Sequence, residues 1–511
     1  MSTVSPRAAE PPLVLALDLG SSSARAIVYD AAAREVEGTE SRSPWEWRRS
    51  ADGGVEADPD ALLGQTLDAV DRSLAAAGAA AAAIRAVGLS TLWHSIMGVG
   101  ADGRPLTPLY SWADRCSGAA VRALRERLDE EAVRRRTGCV LHSSYPAARL
   151  FWLRATAPDV YRRVRRWVSI GEYVALRCLG RAVCSLSMAS GTGLLDQRRC
   201  EWDAELLDIL GLTPDHLGTL GDLDTPLSGL AAPFASRWPA LRAIPWLPAA
   251  GDGALGNLGT GCVSSSRAAL AIGTSAALRV LCRAPADRTA APWREPLPRG
   301  LWLYRLDRAR VLVGGAVSNG GNVYRWVQGQ VALGPPDEVE EALARRPPAA
   351  HGLVVLPFLA GERSPDWPVA ARGAVVGMTL ATEPLDVLQA ALEAVAYRIR
   401  LIWELLRGAV PGVAEIVASG GALRHSRAWT QILADALGHE VVASGEPEGS
   451  SRGAALAALE VLGAVRAEAV PAPLGATFRP DPQRHARHLA AAARQRRVEE
   501  ALLPLQGDVA P

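Results

Sequence analysis

Two short stretches of the chain combine residue types that hold phosphate. Residues 15–25 read LALDLGSSSAR and residues 270–278 read LAIGTSAAL. Each is a short apolar strand, then Gly20 or Gly273 followed by hydroxyl residues (Ser21 and Ser22; Thr274 and Ser275), then a second apolar strand. A glycine lets the backbone approach a phosphate closely, and the N–H and hydroxyl groups after it donate to phosphate oxygens. The same residues also make ordinary hairpin turns. Their recurrence, one copy per half of the chain, points to a duplicated fold gripping a nucleotide between its halves. A third candidate is Asp252 in Gly251-Asp252-Gly253. It is either a turn aspartate or a carboxylate base facing a cleft.

Composition narrows the chemistry. All 55 basic residues of the 511-residue chain are arginine. A P-loop kinase needs its lysine on the β- and γ-phosphates, and Schiff-base enzymes need a lysine amine, so both are excluded. No Gly-x-Gly-x-x-Gly follows the first strand, which argues against a nicotinamide oxidoreductase. A net charge of +1 gives no electrostatic case for a nucleic-acid or membrane partner. The seven cysteines are scattered without a Cys-x-x-Cys pair, as expected of reduced thiols in a cytoplasmic protein. The apolar run after Pro12 is broken at Asp18, so it reads as neither a signal peptide nor a membrane span.

The elements that must position these residues follow from the patterning. Leu13–Leu17, Ala26–Tyr29 and Val87–Ser90 read as strands, and Ile96–Val99 with Leu106–Tyr110 as a hairpin. Asp58–Leu74 has helical spacing, with Asp58 as N-cap and Pro59 at the first helical position. The alanine run Ala75–Ala83 reads as a surface helix end, and Ser117–Arg181 as largely helical. Pro245–Pro248 reads as a linker; beyond it come strands around Gly273 and at Val311–Ala316, a long amphipathic helix Asp386–Leu406, and an arginine-rich helix Arg484–Leu503. Strands mixed with helices in this order give an α/β fold with its ligand site in the cleft between halves. The expected division is a disordered tail at 1–12, an N-terminal domain at 13–247, a C-terminal domain at 248–475 and a helical extension at 476–511.

Over roughly residues 13–475 the chain resembles the FGGY carbohydrate kinases of the sugar kinase, heat-shock chaperone and actin superfamily. Gly373 to Met378, a gap, then Asp386 to Glu393 match the family's second signature throughout. Ser144 to Leu153 match the first less well, with Arg149 in place of the usual lysine and Ala155 in place of a polar residue. Trp93-His94-Ser95, Gly251 to Gly259, Gly314 to Gly321 and Leu359 to Pro365 look most like the gluconokinase branch. Relatives usually read Trp-x-Asp-x-Arg; here Trp112 and Asp114 are followed by Arg115 and then Cys116, so the arginine comes one residue early. Ser185 replaces a common aspartate.

The resemblance implies two actin-like (ribonuclease H-like) domains with ATP and Mg²⁺ bound mainly to the C-terminal half and a sugar or sugar acid mainly to the N-terminal half. It implies Asp252 as general base and Asp18 as the residue holding magnesium, through water. It assigns phosphate and nucleotide contacts to Gly20, Ser21, Ser22, Arg25, Gly273, Thr274 and Ser275, to Asn319 and Gly320, and to Gly420, Gly421 and Ala422. Candidates for the acceptor are Trp93, His94, Trp112 and Asp114, with His142 weaker; packing is the competing role for both tryptophans. Glu362 and Arg363 read as an ion pair bracing the cleft. D-gluconate leads as substrate, with xylulose, another ketose or a polyol as alternatives. A chaperone-like ATPase and a non-catalytic sugar-binding regulator stand as readings of other classes, and a homodimer is left open.

Overall fold

The two phosphate-type turns sit at the same place in two seven-stranded sheets that share one plan. The computed structural model describes residues 3–284, 293–368 and 371–506. The N-terminal sheet contains β1 (Thr3–Val4), β2 (Leu13–Leu19), β3 (Ser23–Tyr29), β4 (Glu35–Val36), β5 (Ser41–Pro44), β6 (Ile84–Thr91) and β7 (Ala250–Gly251). Its order is β1-β4-β3-β2-β6-β7, with β5 paired to β3. The C-terminal sheet contains β8 (Arg267–Ile272), β9 (Ala276–Arg283), β10 (Trp302–Arg305), β11 (Arg310–Val317), β12 (Glu415–Ser419), β13 (Val441–Ser444) and β14 (Leu474–Phe478). Its order is β10-β11-β9-β8-β12-β13-β14.

In each sheet an antiparallel hairpin, β2-β3 or β8-β9, is followed on one side by two parallel strands, β6-β7 or β12-β13. The duplication inferred from two turns is thus a duplication of whole sheets. Every residue of β2 is buried, Asp18 included. A buried carboxylate in an apolar strand is costly unless it is paired, which marks Asp18 before any role is assigned.

The helices bearing on the site are α1 (Pro59–Ala77), α2 (Asp252–Gly259), α3 (Pro384–Ala409), α4 (Gly449–Val461) and α5 (Pro482–Gln506). Asp58 caps α1, accepting from the N–H groups of Asp60 and Ala61. Helix α2 leaves the N-terminal sheet and α4 the C-terminal one, and the two pack together against the β2-β6 face. Glycines allow this contact: a Cβ on Gly453 would stand 1.9 Å from the Leu255 carbonyl oxygen. Apolar residues of α4 from Ala454 to Leu459 therefore belong to the N-terminal core.

Several expectations are corrected. Within the expected tail, Thr3 and Val4 pair in parallel with Glu35 and Val36, and Val4 is buried, because β4 offers a free edge. Pro245–Pro248 is not a loose linker: Trp246 is buried and bridges Val87 and Leu227. The expected border at 247/248 also falls short, since Ala250–Gly251 complete the N-terminal sheet beside β6. In the expected hairpin, Met97–Val99 pairs instead with Arg166–Val168 and Leu109–Tyr110 with Glu56–Ala57; only single bridges such as Ile96 to Tyr110 link the two arms. All seven cysteines are free, as expected. Among the described residues no helix is long and apolar enough to cross a membrane.

Candidate active site

Asp252 opens α2 where the N-terminal sheet ends. Its Oδ1 accepts from the Gly253 N–H at 2.8 Å, and the nearby backbone N–H of Trp93 also favours the charged form. Burial pushes its pKa up to about 6; the charge of Asp18 adds to the rise and the Arg279 guanidinium opposes it. The carboxylate faces an interdomain cavity of about 330 Å³ whose walls include Ser21, Arg25, Trp112, the Gly273-Thr274-Ser275 turn, and Gly420 with Gly421.

The two turns close alike. The Gly20 N–H donates to the Ser23 carbonyl at 3.1 Å and the Gly273 N–H to the Ser275 carbonyl at 3.0 Å. From behind the second turn, the N–H groups of Gly320 and Asn322 donate to the Thr274 carbonyl and that of Gly321 to the Gly273 carbonyl. This pins the turn with its hydroxyl side toward the cavity. Gly420 has φ +100°, and a Cβ there would stand 2.3 Å from the Ile272 carbonyl oxygen, so only glycine lets β12 end against β8.

Asp18 and Arg25 face one another across the β2-β3 hairpin. Arg25 Nη1 donates to Asp18 Oδ2 at 2.8 Å and lies 3.1 Å from Glu448 Oε2, so it links the two halves across the cavity. Ser90 Oγ donates to Asp18 Oδ1 at 2.7 Å. Both Asp18 oxygens therefore have a protein partner. The site fits magnesium on this observation: two carboxylates close enough for the charge of one to shift the other, all hard oxygen donors, suit a cation that keeps much of its water. Among the described residues there is no group of three or more His, Cys, Asp or Glu that could hold a metal ion.

An aromatic cluster packs behind Trp93, which abuts the Asp252 loop. His94 has φ +64°, a strained value for a non-glycine residue. Its Nδ1 lies 2.5 Å from the Gly191 carbonyl oxygen. A carbonyl only accepts, so the proton sits on Nδ1 and Nε2 is a bare acceptor. Burial and the nearby Arg363 pull the imidazole pKa down to about 3, keeping it neutral. Tyr145 and Tyr304 share a hydroxyl hydrogen bond at 2.6 Å, and both rings pack edge-on to His94. His142 is likewise neutral, its pKa lowered to about 3 by burial, and packs against Trp367.

The structure redistributes the other candidates. Trp112 lines the cavity, with the Arg363 guanidinium 4.6 Å above its ring. Trp93 is a support: it is buried, donates from Nε1 to the Ser187 carbonyl and fills the space beside Gly251 and Gly253. The Asp114 carboxylate is paired with Arg149 and accepts from the N–H groups of Val55 and Cys116. Asn319 is buried and braces Ala360 and Gly361, while Gly320 and Ala422 pack behind the second turn. Gly20 and Ser22 shape the first turn, with Ser22 accepting from the Trp45 N–H.

Glu362 and Arg363 are not paired side chain to side chain. Glu362 accepts from the Ser318 and Arg363 N–H groups and faces Arg398 at 3.4 Å, while Arg363 turns to Trp112. Arg115 packs its guanidinium against Gly361 of the other half, and Cys116 Sγ contacts the Asp52 carbonyl. Ser185 caps the short helix Leu186–Ser190 and donates to the Ala249 carbonyl, holding the approach to Asp252. Sequence reasoning missed Arg279, Tyr304 and Glu448. For Arg279 the signal was its place on the strand leaving the second turn, alternating in register with Ala277.

Two ribonuclease H-like halves closing on a carboxylate and two Gly-hydroxyl turns define the superfamily of sugar kinases, chaperone ATPases and actin. Within it the chain belongs to the FGGY family of carbohydrate kinases: residues 13–259 match the family's N-terminal domain and residues 268–460 its C-terminal domain. It is 30% identical over 409 residues to the gluconokinase of Bacillus subtilis (strain 168), covering 78% of each chain. It is also 30% identical over 468 residues to a glycerol kinase of Aromatoleum aromaticum, covering 86% of this chain and 88% of that one. Among solved structures, the ligand-bound xylulose kinase from Lactobacillus acidophilus superposes with a TM-score of 0.86 at 25% identity, covering 97% of this chain and 99% of that one. The gluconate kinase from Lactobacillus acidophilus gives 0.85 at 25% identity with the same coverage. The chain is a carbohydrate kinase.

Proposed function

We propose that the enzyme transfers the terminal phosphoryl group of ATP to a hydroxyl of a sugar acid, D-gluconate first, with Asp252 as general base. The observation that carries this reading is the place of Asp252: in one cavity with both phosphate turns and Trp112, at the seam of the two halves. Magnesium bound with the nucleotide would supply charge neutralisation at the phosphates. Asp252 accepts the acceptor's hydroxyl proton; a pKa of about 6 leaves it ionised at neutral pH yet basic enough to take a proton late in transfer. His94 Nε2 accepts from a second acceptor hydroxyl and fixes its orientation. Ser21, Thr274 and Ser275 donate to phosphate oxygens, and Arg25 contributes positive charge once it exchanges Glu448 for phosphate. Closure of the halves would exclude water and limit hydrolysis of ATP.

The gluconokinase similarity supports gluconate. A ketose or polyol is the second reading, supported by the equally good superposition on a xylulose kinase. The experiment is ADP release with Mg-ATP across sugar acids, ketoses and polyols. Turnover on gluconate that Asp252→Asn abolishes is expected; turnover confined to a ketose or polyol replaces gluconate with that acceptor.

A further inference from the structure

Two buried guanidiniums near the acceptor side of the cleft, those of Arg279 and Arg363, enter no ion pair among the described residues. Arg279 on β9 lies opposite Gly314, which lies opposite Trp302 on β10, so these residues share the sheet face that meets the N-terminal half. Arg279 is 9% exposed and its Nε has no hydrogen-bond partner. A Cβ on Gly253, the residue after Asp252, would stand 2.3 Å from Arg279 Nη1, so the guanidinium lies against the loop that carries the base. Arg363 is 7% exposed and its Nε is likewise unpartnered; its Nη2 reaches only the Val317 carbonyl, at 3.2 Å.

Around Arg279, Asp252 is the carboxylate whose field reaches the guanidinium, and no ion pair neutralises it among the described residues. Arg363 lies in the field of Glu362 as well as of Asp252, and Glu362 is also faced by Arg398. A buried guanidinium with donors left over is costly unless a ligand brings acceptors of opposite charge. A sugar acid brings that charge to Arg279, whereas a neutral polyol does not. The planar guanidinium fork also matches a carboxylate in geometry.

We propose that Arg279, assisted by Arg363, reads the carboxylate of the acceptor and so selects sugar acids over the matching neutral polyols. The proposal rests on the kinase reading above. Its chemistry has a rival source, the transferring phosphoryl group, which also carries negative charge, and the test separates the two.

The experiment compares kcat/KM for D-gluconate and for D-glucitol, its neutral counterpart, in wild type, Arg279→Gln and Arg279→Lys. The expected result is a roughly 10- to 100-fold fall in the gluconate-to-glucitol ratio for Arg279→Gln, carried mainly by KM, with part of it regained in Arg279→Lys. Parallel loss on both acceptors overturns the proposal and moves Arg279 to the phosphoryl group. Calorimetric titration of the two acceptors without nucleotide decides the point independently of turnover: gluconate bound by wild type and lost in Arg279→Gln supports it, and equal binding overturns it. Binding of that pattern with no ADP release on any acceptor sinks the sugar-acid phosphorylation proposed above instead. Arg363→Gln, read the same way, serves if Arg279→Gln does not fold.

Discussion

Trp93 and Asp252 are built as one unit. The Trp93 backbone N–H favours the charged form of Asp252, and the indole of the same residue fills the space on which Gly251 and Gly253 rest. A Cβ on Gly251 would stand 1.9 Å from the indole and one on Gly253 2.8 Å from it. The glycines around the base are therefore a fit to the tryptophan as much as a turn, and the position of Asp252 depends on a side chain from the other end of the domain.

Gly251→Ala is expected to displace Asp252 while leaving the nucleotide walls intact. Overpacking of this kind costs about 1–3 kcal/mol of stability. A base moved by about an ångström loses roughly 100-fold in rate. The check is kcat beside ATP affinity from a nucleotide titration: kcat falls and ATP binding stays within about threefold. Unchanged kcat would mean that the indole yields and does not position the base.

Acceptor phosphorylation is expected to fall on the acid side with an apparent pKa near 6, since a protonated Asp252 cannot take the hydroxyl proton. The causes of that value predict how variants move the limb. Removing the Asp18 charge in Asp18→Asn shifts it to lower pH, and removing the Arg279 charge in Arg279→Gln shifts it to higher pH. A pH profile of kcat/KM measures all three, and a limb at the ordinary carboxylate value in the wild type would reject Asp252 as the titrating group.

The same shift has a stability consequence. The folded pKa of about 6 lies above the 3.8 of a free aspartate, so between these values the folded protein holds a proton that the unfolded chain has released. Stability linked to this group is therefore lost as pH rises through that window, and the deficit is constant above it. Asp252→Asn removes the deficit, about 3 kcal/mol at neutral pH. Calorimetry should find the variant melting above wild type at about pH 8, with the gap closing toward about pH 4. A variant that melts lower at both would show that the carboxylate braces its loop.

The sequence made the hairpins and the base visible because each rests on local chemistry. Gly20 and Gly273 end apolar strands and precede hydroxyls, and Gly251-Asp252-Gly253 needs no partner to be noticed. What stayed hidden depends on contacts across long separations. Asp114 looked available for an acceptor, but its partner Arg149 comes from the helix Pro146–Thr156. Glu362 and Arg363 looked like a pair, but adjacent side chains on this loop point to opposite sides. Arg279 is one of 55 arginines, and only the register of β9 with β11 shows that it faces Asp252. The border between halves was misplaced because Ala250–Gly251 carry almost no sequence signal and are strand only through pairing with β6.

The C-terminal helix reaches the site through Arg398. This residue of α3 is 1% exposed and meets Glu499 of α5 at 2.8 Å, Asp366 at 3.3 Å and Glu362 at 3.4 Å. Glu362 in turn accepts the N–H of Arg363, the residue lying over Trp112. Removing the cation leaves buried Glu362 without a facing charge, while Asp366 and Glu499 keep Arg496, so Arg398→Ala is expected to destabilise the protein by about 3 kcal/mol. Glu499→Gln keeps a hydrogen-bonding group and should cost less, yet both should raise KM for the acceptor more than for ATP, because Glu362 loosens on the acceptor side. Thermal unfolding together with the two KM values tests this. Equal rises in both KM values would mean that α5 stabilises the C-terminal half as a whole, without a specific path to Arg363.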